Sequence, residues 1–126
     1  MNLIVDVGNS RVKAVVIEGG DCVAEYVAKD HSEEWLRGIV VEHDVERAIV
    51  SSTRGNGAEV ATLLRTMLPY VENFVPATTP TPLANHYRTP ETLGADRLAA
   101  AVGVAAMYDG CDAMIVDFGT AITIDY

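Results

Sequence analysis

The stretch LIVDVGNSRVKAVVI, from Leu3 to Ile17, decides the fold of this 126-residue chain. An apolar run ends at the carboxylate of Asp6, Gly8 permits a tight reversal of the backbone, and a second β-rich run returns from Arg11. A glycine turn of this kind brings backbone amides close to a ligand and suits phosphate. The stretch therefore predicts a β-hairpin with a phosphate-binding turn.

The same pattern appears again near the other end of the chain, in MIVDFGTAITIDY. There Asp117 stands two residues before Gly119, and Thr120 takes the place that Asn9 has in the first copy. A single Asp at the end of a strand often only caps a turn. Because turn capping alone does not predict a repeat, we interpret the two segments as a duplicated device that faces one cleft and binds a nucleotide.

The composition is that of one globular, acidic domain. The hydrophobic fraction is 49%, the mean hydropathy is +0.17 and the formal net charge is −9. Non-specific nucleic-acid binding needs a basic face, so we expect no nucleic-acid partner. The first apolar run is broken by Asp6 after a few residues, which indicates neither a signal peptide nor a membrane span. We therefore expect a cytoplasmic protein.

The chain alternates between strand and helix patterns. Runs rich in Val and Ile predict strands at Leu3–Val7, Arg11–Ile17, Cys22–Val27, Arg47–Ser51, Val71–Val75 and Ala113–Val116. The first three follow one another across short polar turns and form an antiparallel meander. The last is fully apolar, which is typical of a strand buried on both faces.

Three helices are predicted between these strands, which makes the fold an α/β layered domain. Asp30 and Glu33 have capping-box spacing before a helix of about 12 residues, which is close to the usual mean. Asn56 begins a second helix that Pro69 stops. The third is alanine-rich and runs from about residue 94 to residue 108.

Residues 76–92, PATTPTPLANHYRTPET, contain four of the five prolines and form neither a helix nor a regular strand. A long irregular segment inside a compact domain is usually functional. This one has the length to cross a cleft and bring Tyr87 and Arg88 to a ligand. A solvated connector is the alternative.

The segment Gly94, Ala95, Asp96, Arg97 opens the third helix. Asp96 is favoured there by the helix dipole, whereas Arg97 in the same turn is disfavoured by about 0.3 to 1 kcal/mol. A cation at that position calls for an anion as its partner. A plain surface arrangement of the two charges is the alternative.

Three segments together resemble type III pantothenate kinases, a family of the actin, sugar kinase and Hsp70 superfamily: DVGNSRVK (6–13), YRTPETLGADR (87–97) and DFGTAITID (117–125). The resemblance implies two ribonuclease-H-like (actin-like ATPase) lobes. Residues 1–116 would form the N-terminal lobe, a mixed sheet with flanking helices. Residues 117–126 would form the second phosphate segment and the start of a C-terminal lobe that this chain lacks.

The resemblance also implies a reaction and its site. A homodimer would transfer the γ-phosphoryl group of ATP to pantothenate, with Mg²⁺ and a monovalent cation, K⁺ or NH₄⁺. The ATP-binding residues would be Asp6, Val7, Gly8, Asn9, Ser10, Arg11, Val12, Lys13 and Thr120. The pantothenate-binding residues would be Tyr87, Gly94, Ala95, Asp96 and Arg97. Asp96 would be the catalytic base, and Asp117 would bind the monovalent cation.

Two other functions stay open on these residues. The same family likeness extends to accessory regulators of gene expression that keep the fold without turnover. The other is a different kinase or phosphatase of the superfamily, acting on a sugar or a polyphosphate. Since the second lobe is missing, we expect the 126-residue piece itself to have little or no kinase activity.

Overall fold

The order of strands and helices follows the predicted alternation. The computed structural model describes residues 1–108, 110–119 and 121–126, and the chain forms two compact units, Met1–Phe74 and Val75–Tyr126. The first unit contains β1 (Asn2–Val7), β2 (Val12–Glu18), β3 (Asp21–Ala28), α1 (Glu33–Glu42), β4 (Arg47–Ser52), α2 (Gly57–Arg65) and β5 (Tyr70–Asn73). The second contains a short 3₁₀ turn (Pro90–Thr92), α3 (Ala95–Met107), β6 (Ile115–Phe118) and β7 (Ile122–Asp125).

The first unit is built on a five-stranded mixed sheet in the order β3-β2-β1-β4-β5. The pairs β1–β2 and β2–β3 are antiparallel, which confirms the predicted meander, and β1–β4 and β4–β5 are parallel. Parallel neighbours need a crossover connection, and here α1 and α2 provide it. This mixed α/β arrangement confirms the predicted fold class, the N-terminal lobe of an actin-like ATPase.

The core of this unit lies on one face of the sheet. Alternation along β1 buries Leu3, Val5 and Val7 completely and leaves Asp6 on the opposite face. The apolar stripes of the two helices belong to the same core, and its fully buried members there are Leu36, Val60, Ala61 and Leu64. The alternation of the strand thus keeps the carboxylate of Asp6, next to the glycine turn, out of the core.

Two predicted helix starts differ in their caps. Asp30 does not cap α1, because the Ser32 hydroxyl accepts from the Trp35 amide at 3.1 Å while Asp30 Oδ1 accepts from the next residue's amide. Ser32 is the N-cap because it directly precedes Glu33, the first helical residue. Asn56 does lie at the N-cap of α2, but its side chain accepts from Ser52 Oγ at 2.8 Å and makes no capping bond.

The sixth strand differs from its prediction in position and in burial. The structure places it at Ile115–Phe118, paired with β7 in a two-stranded sheet. Val116 is 39% exposed and Phe118 is 77% exposed. An apolar run is buried on both faces only when layers cover it, and a two-stranded ribbon leaves much of each face open.

The third helix agrees with its prediction, and the irregular segment agrees in part. Gly94 and Tyr108 are the caps of α3, and residues 76–89 contain no helix or strand. Residues 90–92, also predicted to be irregular, form the 3₁₀ turn, because Pro90 suits the first position of a helix, where its missing N–H is not needed. The predicted lobe boundary after residue 116 falls inside β6, and it stays a prediction about a longer protein. No helix in the described part of the chain has the length and apolar character to cross a bilayer.

Replacing Leu36 tests the core of the first unit. Leu36 is fully buried on α1, so Leu36→Ala is expected to lower the free energy of unfolding by about 2–5 kcal/mol through the cavity it leaves. Val41→Ala on the same helix is the control, since Val41 is 71% exposed. Urea titration followed by circular dichroism compares them, and equal losses would contradict this assignment of the core.

Candidate active site

The turn after β1 is closed by a backbone hydrogen bond across its glycine. The Gly8 N–H donates to the Arg11 carbonyl over 3.0 Å. A Cβ at position 8 would lie 3.3 Å from the same oxygen, closer than side chains normally approach. A side chain at position 8 would therefore require the Arg11 carbonyl to move by a few tenths of an ångström. Because its N–H is already paired, the Gly8 amide has no donor left for a ligand.

Asp6 lies beside this turn with defined neighbours on both sides. It is the register partner of Lys13 on β2 and of Ser51 on β4. The Ser51 hydroxyl donates to Asp6 Oδ1 over 2.9 Å. The carboxylate is thus oriented by a neutral hydrogen bond while a cation occupies the adjacent strand position.

Arg54, which was not predicted as a site residue, also contacts the turn. It lies just beyond β4, and its Nε donates to the Gly8 carbonyl over 2.6 Å. Arg54 reaches the turn because β1 and β4 are parallel neighbours. Residues that follow two such strands lie at the same edge of the sheet. No local sequence pattern shows that pairing.

The backbone bond at the second glycine differs from that at the first. Gly119 N–H donates over 3.1 Å to the carbonyl of Ala121, two residues further on, whereas Gly8 N–H donates to the carbonyl of Arg11, three residues further on. Asp117 is exposed on β6. Thr120, predicted to contact ATP, lies outside the described residues. Asp6 and Asp117 belong to different units, so their convergence on one cleft stays a prediction.

The start of α3 places the predicted base at the surface. Asp96 is exposed, and its Oδ1 accepts from the Arg97 N–H over 2.9 Å. A Cβ on Gly94 would collide with that same oxygen. A side chain at position 94 would therefore displace the Asp96 carboxylate from this position.

Arg97 has an anionic partner within its own unit, which the sequence analysis did not identify. Its Nε donates to Asp125 Oδ1 and Oδ2 over 3.1 and 2.9 Å, and its Nη2 also donates to Oδ1. The guanidinium lies 5.2 Å from the Tyr87 ring centre, a cation–π distance. Hydrogen bonds from Arg97 lower the pKa of Asp125, and the same bonds raise the pKa of Arg97.

These three residues lie on the wall of a cavity of about 530 Å³ in the second unit. The volume is in the range of small-molecule sites. Much of the remaining wall is apolar, with Leu83, Leu93 and Leu98 among its residues. Of the five residues predicted to bind pantothenate, Tyr87 and Arg97 line this cavity, whereas Gly94, Ala95 and Asp96 stand at the adjoining helix start.

The chain contains carboxylates that suit a nucleotide-bound cation. Within the described ranges, no three His, Cys, Asp or Glu residues form a cluster able to hold a metal. Magnesium in nucleotide sites needs only one or two carboxylates, because phosphates and water complete its shell. A single carboxylate such as that of Asp6, beside the first glycine turn, meets that requirement, and Asp117 is the residue predicted to bind the monovalent cation.

Strand order and the two glycine turns define the class of the protein, an actin-like ATPase lobe. The chain belongs to the type III pantothenate kinase family, whose model matches residues 2–126. A protein of Azobacteroides pseudotrichonymphae named type III pantothenate kinase is 37% identical over 126 residues, covering 100% of this chain and 51% of that protein.

Two further relatives carry the same name. That of Phocaeicola vulgatus is 35% identical over 132 residues, with 100% of this chain and 52% of the relative covered. That of Bacteroides fragilis is 34% identical over 127 residues, with 100% and 51% covered. The chain thus spans about half the length of the curated relatives it matches.

The Arg97–Asp125 pair makes the stability of the second unit depend on pH. Pairing with Arg97 lowers the pKa of Asp125. The ion pair therefore stabilises the folded unit fully at pH values above the ordinary carboxyl pKa, and this stabilisation is lost as the pH falls through the lowered pKa of Asp125. Asp125→Asn is expected to cost about 1–2 kcal/mol near neutral pH. Amide hydrogen exchange in α3 and β7 measures this cost. Asp112→Asn, at an exposed carboxylate of the same unit, is the control.

At low pH the difference in stability between the wild type and Asp125→Asn should disappear, because the carboxyl of Asp125 in the wild type is then also neutral. A difference that persists at low pH, or an equal loss in Asp112→Asn, would contradict a stabilising ion pair.

Proposed function

We propose that this chain is part of an enzyme that phosphorylates pantothenate with ATP, the first step of coenzyme A biosynthesis. The observation that carries the proposal is the family match over residues 2–126, which includes both glycine turns and the start of α3. The relatives named type III pantothenate kinase span twice this length, so the activity is proposed for a protein that also has their second half.

The nucleotide would be held at the turn of the first unit. Of the segment Asp6–Lys13, the amides of Asn9 and Ser10 and the ammonium of Lys13 are the groups that suit phosphate, since the Gly8 N–H is already bonded. Val7 and Val12 are buried and close the hairpin below the turn, and Arg11 is exposed beside it. Thr120 would contact ATP from the second turn.

Pantothenate would bind at the start of α3. Tyr87, Gly94, Ala95 and Arg97 are the proposed contacts, with Arg97 facing the carboxylate of the substrate. Asp125 bonds Nε and Nη2 of Arg97. A guanidinium has five N–H donors, so a second carboxylate can share it. The carboxylate of pantothenate would thus bind an Arg97 that is already paired with Asp125, and not an unpaired cation.

Asp96 would act as the base. The hydroxyl oxygen of pantothenate attacks the γ-phosphorus, the bond to the bridging oxygen of ADP breaks, and the hydroxyl proton passes to Asp96. Phosphoryl transfer depends mainly on alignment and charge neutralisation. Positioning of the hydroxyl is therefore its larger contribution.

Cations would complete the site. Mg²⁺ would neutralise charge on the phosphates with Asp6 as a protein ligand, and K⁺ or NH₄⁺ would bind at Asp117. The homodimer that the resemblance implies and the cytoplasmic location that the sequence predicts belong to this proposal as well.

Replacing the proposed base tests the reaction. In a longer chain, with Met1–Tyr126 followed by the second half of the Bacteroides fragilis relative, Asp96→Asn is expected to lower kcat by about 10²–10⁴-fold. A coupled assay with ATP, pantothenate, Mg²⁺ and K⁺ measures it. Glu91→Gln, at an exposed carboxylate a few residues upstream, is the control and should keep its rate.

Phosphorylation of glucose or glycerol but not of pantothenate would favour another kinase of the superfamily. Binding of ATP without turnover on any alcohol would favour a regulator.

The 126-residue chain alone is expected to show little or no turnover in the same assay. It covers only about half the length of its relatives, and phosphoryl transfer requires a site that aligns both substrates. Turnover by this chain at the rate of the longer one would contradict the expectation.

A further inference from the structure

Arg54 is a cation to which neither the sequence motifs nor the family resemblance gives a role. It follows the end of β4, and its side chain is 25% exposed. Its Nε donates to the Gly8 carbonyl over 2.6 Å. The guanidinium is therefore attached to the turn where the nucleotide phosphates are proposed to bind.

The register of the sheet explains why this residue reaches the turn. Val7 and Ser52 are the last partners of the parallel β1–β4 pair. Thr53 extends the pairing, because its N–H donates to the Val7 carbonyl over 3.1 Å and its hydroxyl donates to the same oxygen over 3.3 Å. Arg54 comes one residue later and meets the first carbonyl of the turn. The Arg54 N–H also donates to Ser52 Oγ over 3.1 Å, so the backbone of Arg54 is held close to the end of β4.

The guanidinium of Arg54 retains donors for a ligand. Of its five N–H groups, the one on Nε is taken by Gly8. The carboxylate within ion-pair distance is that of Asp30, whose Oδ1 lies 3.6 Å from Nη1 and whose side chain is 71% exposed. An exposed pair at that distance contributes little, so a polyphosphate can displace Asp30 at small cost.

The turn collects positive charge in an acidic chain. Arg11 lies in the turn, Lys13 lies on the returning strand opposite Asp6, and Arg54 bonds to the turn from just beyond β4, so three of the nine Lys and Arg residues lie in or next to it. The formal net charge of the whole chain is −9. Attraction of an anion to this chain therefore depends on such local groups of cations.

We propose that Arg54 is a phosphate-binding residue of the nucleotide site, a role that rests on the proposed function. The Gly8 carbonyl anchors the guanidinium through Nε, and the Nη groups bind phosphate oxygens in the forked geometry that arginine favours. The same bond covers the partial negative charge of the Gly8 oxygen, which would otherwise repel the anion.

The test titrates tripolyphosphate into the 126-residue chain at low ionic strength and measures heat. Arg54→Gln is expected to weaken binding about tenfold or more, the effect of one lost charge-assisted contact. Arg54→Lys should restore part of the affinity, because it keeps the charge without the fork. Arg65→Gln is the matched control, since Arg65 Nη2 also donates to a backbone carbonyl, that of Val71, over 3.1 Å.

Three results would overturn the role of Arg54: no binding of tripolyphosphate by the wild type, equal affinity in Arg54→Gln, or an equal loss in Arg65→Gln. Thermal unfolding and the amide signal of Gly8 show whether each variant keeps its fold. Where Arg54→Gln does not fold, Arg54→Lys decides, and wild-type affinity in that variant together with an unchanged Gly8 signal would overturn the forked contact.

The longer chain separates this role from the proposed function. There Arg54→Gln should raise the KM for ATP and leave the KM for pantothenate unchanged. An active enzyme whose KM for ATP does not change overturns the role of Arg54 alone. Tripolyphosphate binding that depends on Arg54, without phosphorylation of pantothenate by the longer wild type, overturns the proposed function alone.

Discussion

The double pairing of β1 is the constraint on which the first unit depends. This strand pairs antiparallel with β2 on one side and parallel with β4 on the other. Its buried face carries the core, and its opposite face places Asp6 between Lys13 and Ser51. A slip of one residue would turn Asp6 into the core and Val5 out of it. The apolar packing that holds the register therefore also holds the geometry of the turn.

The sequence predicted what is local. Alternation and glycine spacing located the first five strands to within two residues at each end, and both turns formed where the Asp-x-Gly pattern stands. The features that the sequence did not predict depend on competition between neighbouring side chains or on partners that are distant in the chain. Ser32 displaced Asp30 as a cap, and the sixth strand lacks the layers that its apolar run needs. Arg54 and Asp125 meet their partners only through the tertiary fold.

Arg97 shows how an unfavourable local position is compensated. A cation in the first turn of a helix interacts unfavourably with the helix dipole. The carboxylate of Asp125 and the ring of Tyr87 both contact Arg97 and compensate for this. The three side chains come from the irregular segment, from α3 and from β7. One charge thus ties together parts of the second unit that share little backbone pairing.

The open ribbon of β6 and β7 has a consequence for the behaviour of the chain in solution. Exposed apolar side chains line the ribbon: Phe118, Ile122 and Ile124 each expose more than 60% of their surface. Apolar surfaces on an open ribbon favour self-association of the chain. The excess of acidic groups opposes this, because like-charged molecules repel one another. Salt shortens the reach of that repulsion to about 10 Å at 0.1 M. Colloidal stability of the isolated chain should therefore decline as ionic strength rises.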